Sequence, residues 1–111
     1  MTIIDVLLRT AYEDTQLLFK NDSLGDQFAI PRDVEFLLVA KDEFKASTVC
    51  SFINDNQYGI ARVDDGFNIF VVVRMSIEQN ILCSVSALMA CLGEMFDVEY
   101  DGCGCELQKV T

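Results

Sequence analysis

Two runs of this chain, VEFLLVAK (Val34 to Lys41) and FNIFVVVR (Phe67 to Arg74), are apolar on both faces of a strand. Side chains alternate across a strand. Phe36, Leu38 and Ala40 therefore point one way, and Leu37 and Val39 the other. In the second run Phe67, Ile69, Val71 and Val73 oppose Phe70 and Val72. Such strands belong in the middle of a sheet. The closing run FDVEYD differs: Phe96, Val98 and Tyr100 share one face, and Asp97, Glu99 and Asp101 the other. That is the pattern of an edge strand, whose outward charge deters edge-to-edge pairing.

The segments between these runs complete the order. Ile4, Leu7, Leu8, Ala11, Thr15 and Leu18 recur at helical spacing, with Glu13, Asp14 and Gln16 on the wet side. Thr2 and Asp5 form a capping box at the start of this helix. NDSLGDQ, Asn21 to Gln27, is turn chemistry. Asp42 caps a second helix carrying Phe44, Ala46, Val49, Cys50 and Ile53. Gln57 to Val63 is a short strand, and Asp64-Asp65-Gly66 is the hairpin turn into Phe67. Ser76 caps a third helix with Ile77, Ile81, Val85, Leu88, Leu92 and Met95 along one face.

From Val34 on, the order is strand, helix, strand, strand, helix, strand, the split βαβ pattern of ferredoxin-like folds. The fold class is α+β: a four-stranded antiparallel sheet, two helices on one face, and an extra N-terminal helix. One domain is expected, with the amphipathic helix and turn over 1–24 and the ferredoxin-like part over 32–111. The helices cover one sheet face only. Its other face, centred on Leu37 and Val39, then needs the N-terminal helix folded across it or a partner, a second copy of this chain included.

Eighteen acids against eight scattered bases leave a net charge of −10. Phosphate backbones are gripped by clustered cations, so direct nucleic-acid binding is not expected, and a basic protein partner is. The longest apolar runs are too short to span a bilayer, and the N-terminus lacks the basic region of a signal peptide. Five cysteines, an odd number, suit free thiols in a reducing cytoplasm. The absence of His removes the commonest general base and metal ligand. No cofactor and no catalytic constellation are expected, hence no enzyme.

Cys103-Gly104-Cys105 is the one candidate metal or redox motif. Two thiolates need two further ligands, and the flanking glycines point to a bulge or tight bend instead. Asp97, Glu99 and Asp101 are the candidate partner-binding acids, with Leu37 and Val39 supplying apolar contact.

The closing phrase FDVEYDGCG, Phe96 to Gly104, resembles the last strand of the RraB family, regulators of ribonuclease E activity. A second echo is EDTQLLFKNDSLGDQ, Glu13 to Gln27. The resemblance implies a ferredoxin-like domain and a cytosolic, non-enzymatic inhibitor that acts by protein contact, with the non-catalytic C-terminal region of ribonuclease E as partner. Cys103 departs from the family phrase, where an aromatic residue stands, and the family's long acidic tail has no counterpart before Thr111. The alternative is a small-molecule or metal module on the same fold, using Cys103 and Cys105.

Overall fold

The computed structural model describes residues 2–109; the expected 32–111 segment ends in two residues that lie outside them. Among the described residues the elements are α1 (Ile3–Ser23), β1 (Arg32–Val39), α2 (Glu43–Asp55), β2 (Ile60–Val63), β3 (Asn68–Met75), α3 (Gln79–Phe96) and β4 (Glu99–Cys105). The sheet is antiparallel, in the order β2-β3-β1-β4. β1 and β3 are its middle strands, as their two-sided apolar patterns require. α2 packs on β2 and β3, and α3 on β4 and β1. Val34, Phe36, Leu38, Ile69 and Val71 meet Ala46, Val49, Ile53, Leu82 and Met89 in a core without solvent access. Burial of this apolar area is the main favourable term in folding.

Local signals set several boundaries. The Thr2 hydroxyl accepts from the Asp5 amide at 3.2 Å, and the Asp5 carboxylate accepts from the Thr2 amide at 3.1 Å, closing the capping box. Asp42 caps α2 by accepting from the Lys45 amide at 2.8 Å. Ser76 does not cap α3. That helix begins three residues later behind Glu78, which makes no side-chain cap bond, while the Ser76 hydroxyl donates to Glu78 instead. The Asp-Gly turn is wider than expected. The Asp64 carboxylate accepts from the amides of Gly66 and Asn68, and Phe67 takes the left-handed backbone, at φ 61°.

Two helix faces are corrected. α3 buries Leu82, Ser86, Met89, Ala90, Leu92 and Gly93, leaving Ile81 and Met95 exposed. It lies between the sheet on one side and α1 on another, so its buried arc is set by two neighbours. Its 18 residues are also long and apolar enough by composition to cross a membrane, which a count of unbroken apolar runs missed; a third of it is buried, against α1, β1 and β4. α1 packs on α3 and buries Val6, Thr10, Asp14, Leu18 and Asn21, whereas Ile4 and Leu8 face solvent. Phe44 of α2 is exposed as well.

Two polar clusters hold α1 and the chain's end in place. The Arg32 guanidinium donates to the Asp26 carboxylate at 2.7 Å, both side chains being almost inaccessible. It also donates to the carbonyls of Gln27, Ile30 and Glu106, while Asn21 and the Gln108 amide donate to Asp26. The end of α1, the start of β1 and the segment after β4 thus share one fully hydrogen-bonded buried ion pair, the condition under which burying charge is tolerable. The second cluster links α1, α3 and β4: Ser86 Oγ donates to Asp14 Oδ1 at 3.2 Å and lies 2.7 Å from the Tyr100 hydroxyl. Since Ser86 has one hydroxyl proton, Tyr100 is the donor to Ser86.

Candidate functional site

The face of the sheet away from α2 and α3 carries Leu37 and Val39 from β1 and Phe70 and Val72 from β3, all half-buried. Leu37 pairs across with Phe70, which juxtaposes their side chains. α1 does not fold across this face; it packs on α3 and touches β4. Of the two covers that the sequence left open, α1 is therefore not the one, because its buried side meets α3 rather than the sheet.

Charge frames the apolar centre asymmetrically. On the β2–β3 side, Arg62 lies over the Phe70 ring at 4.5 Å and pairs with Glu35 at 3.5 Å. Arg74 pairs with Asp33 at 3.6 Å. Both arginines thus have acidic partners. On the β4 side, Glu99 stands opposite Val39. Asp101 is two residues along the same strand, where the β1–β4 register shifts beside Leu37. Glu99 and Asp101 are exposed and, among the described residues, make no ion pair. Four of the five expected residues, Leu37, Val39, Glu99 and Asp101, are therefore neighbours.

Asp97 is not with them. It caps α3 in the left-handed conformation, at φ 55°, rather than continuing a strand. Its carboxylate accepts from Lys41 at 2.8 Å and from Lys45 at 3.2 Å. These hydrogen bonds, Lys41 first, hold its pKa below the ordinary carboxylate value. β4 consequently begins at Glu99, and it includes the Cys-Gly-Cys run expected to follow it.

Of the glycines flanking Cys103, only Gly102 takes a left-handed backbone. Gly102, at φ +93°, lies in the register shift between Phe36 and Leu38, the bulge that the glycines suggested. An extra residue here lets Tyr100 and Cys103, three apart, both face the helices, which strict alternation forbids. Tyr100 packs against Phe36 and Cys103 against the same core. Burial pushes the Cys103 thiol up to about 12, and also raises Cys105. Reactive thiols are depressed instead. Among the described residues, no group of three or more Cys, Asp or Glu side chains is placed to hold a metal ion.

The family model described as regulator of ribonuclease activity B matches residues 11–105. The chain belongs to the RraB family. No curated protein matches it. The RraB match takes in every element of the sheet, α2, α3 and all of α1 from its third turn. It makes this chain a member of a family that regulates ribonuclease activity, and a regulator of another protein's activity works on a protein partner. In this RraB-family chain the position of Cys103 belongs to the core side of β4, so its departure from the aromatic of the family phrase alters the interior rather than the open face. Sequence reasoning did not single out Arg62 and Glu35. Their alternation within β2 and β1 places them on the open face, but only the strand order brings them together across β3.

Proposed function

We propose that this protein is a non-catalytic regulator of ribonuclease E that binds a basic segment in the enzyme's non-catalytic C-terminal region. The open sheet face supplies affinity through Leu37, Val39, Phe70 and Val72, and Glu99 and Asp101 steer the basic segment along β4. The observation that carries this reading is the pair of unpartnered acids directly beside a half-buried apolar centre, while both arginines on that face already have acidic partners. Opposite charge at the rim of an interface raises the association rate and selects partners. A net charge of −10 argues against gripping RNA directly. The cytoplasm is the compartment proposed, and five unpaired cysteines support it.

Titration of the full chain against the C-terminal region of ribonuclease E tests this. Binding is expected at low salt. The double variant Glu99→Gln, Asp101→Asn should associate several-fold more slowly at low salt and like the parent at high salt, because exposed charges are screened. Leu37→Ser should dissociate faster. Absence of binding at low salt would remove ribonuclease E as the partner and leave the family membership standing.

A further inference from the structure

The sheet has two edges, and the chain treats them differently. β2 is four residues long, and α2 closes its edge: the Asn54 side chain donates to the Ala61 carbonyl at 3.0 Å and accepts from the Ala61 amide at 2.8 Å. β4 is seven residues long. Among the described residues, nothing but β1 hydrogen-bonds to the backbone of Glu99–Cys105. The register identifies the unpaired groups. In an antiparallel ladder the N–H and C=O of one residue point to the same side. Ala61 turns its pair toward Asn54 and away from β3, so Val71 opposite it turns to β1, Phe36 turns to β3, and Cys103 turns outward. Leu38 and Val34, two residues either side of Phe36, put Tyr100 and Cys105 in the same position. Backbone groups without a partner in the fold persist where water reaches them, so α1, which touches β4, does not seal this edge. A cleft of about 100 Å³ lies between Val6, Arg9 and Thr10 of α1 and Glu99 and Tyr100 of β4.

We propose that β4 takes up a basic, extended segment of the partner protein as a fifth strand of the sheet. This rests on the reading of the adjoining open face as the dock of a basic segment, and adds how the main chain of that segment is held: by hydrogen bonds to Tyr100, Cys103 and Cys105, the way exposed sheet edges bind peptides. Charge chooses the occupant. Glu94, Glu99, Asp101 and Glu106 border the edge and are exposed. Arg32, Lys41 and Lys45 at its two ends are taken by Asp26 and Asp97. The flank of α1 around Arg9 is balanced, Arg9 and Lys20 against Asp5 and Glu13 within about 80° on the helix. The surplus along β4 is therefore negative. A second copy is the poorer occupant, because its β4 brings the same acids, and like charges across paired strands repel. The charge that deters self-pairing of this edge draws a basic strand to it. Alternate side chains of that strand face opposite ways. One set lies beside Glu99 and Asp101, where Lys or Arg fits. The other faces the cleft beside Val6 and Thr10, where an aliphatic side chain fits.

Titration of the full chain at low salt with a peptide of about ten residues alternating Lys and Val, long enough to span β4, tests this. Binding is expected. In the complex, amide hydrogen exchange should slow by about tenfold or more at Tyr100, Cys103 and Cys105 and stay unchanged at Ala61. Two N-methylated peptides separate main-chain pairing from charge, one methylated on every Lys and the other on every Val. They carry the same charge, but only one set of amides points at β4, so one form should bind like the parent peptide and the other about tenfold or more weakly. Equal binding of the two forms overturns the proposal, as does absence of peptide binding at low salt. So does slowed exchange of the same amides in the chain alone that grows with concentration, which would give the edge to a second copy. Binding of the ribonuclease E region with those three amides still exchanging fast keeps the proposed partner and removes the fifth strand. A chain that binds the peptide as expected and not ribonuclease E keeps the strand addition and removes that enzyme.

Discussion

Replacing Asp14 with Asn tests the polar cluster between α1, α3 and β4. The Asp14 side chain is 4% exposed, and its Oδ1 accepts one hydrogen bond, from Ser86. Its Oδ2 has no partner among the described residues. Burial in this setting raises the carboxyl from 3.8 to about 6, the Ser86 hydrogen bond opposing and neighbouring Glu13 adding to the rise. Cys83, Tyr100 and Cys103 face it from α3 and β4 as neutral groups. A shift of about two units corresponds to about 3 kcal/mol. The sign follows from proton binding. Between pH 3.8 and about 6 the folded chain holds a proton that the unfolded chain has released, so the contribution of this group to stability falls as pH rises through that window. Above it, the fold carries a buried, half-satisfied carboxylate. Asn mimics the protonated acid at every pH. Urea unfolding of both proteins from pH 4 to pH 7.5 should therefore give equal stabilities near pH 4 and an advantage to Asp14→Asn of about 3 kcal/mol near neutrality. Taking the difference cancels every other titrating group. A difference that does not vary with pH, or an Asn variant weaker than the parent at neutral pH, would refute this account of the cluster.

Other substitutions probe the remaining elements. Arg32→Ala leaves Asp26 as a buried carboxylate without its counter-ion and should cost about 3–5 kcal/mol in urea unfolding. Gly102→Ala places a side chain at φ +93° with no steric neighbour within 4 Å, so its loss, about 1–2 kcal/mol, isolates backbone strain. Gly104→Ala, also unobstructed and outside the left-handed region, is the matching control and should change stability little. At Gly93 a methyl group would sit 2.8 Å from the Val98 carbonyl oxygen, so Gly93→Ala should lower the melting temperature despite the helix propensity Ala adds, about 1 kcal/mol.

The sequence by itself determined what is local. The two strands with apolar residues at odd and even positions are the middle strands, because alternation is a property of each strand alone. Thr2, Asp5 and Asp42 cap where they stand because their partners are three residues away. The closing phrase carries the family resemblance in a short contiguous stretch. Only the tertiary structure decided which face of a helix with two apolar arcs is buried. α1 offers Ile4, Leu8 and Tyr12 on one side and Val6 and Leu18 on another, and apolar burial has no direction of its own to choose between them. Packing on α3 chose the second, took Asp14 inside with it and left the sheet's open face uncovered. The same holds for Asp97, which reads as the next outward residue of an alternating strand until the close approach of Gly93 to Val98 ends α3 in a left-handed turn beside Lys41. The Asp97–Lys41 pair and the Ser86–Asp14 hydrogen bond join residues far apart in the chain, and such contacts exist only once the elements have assembled.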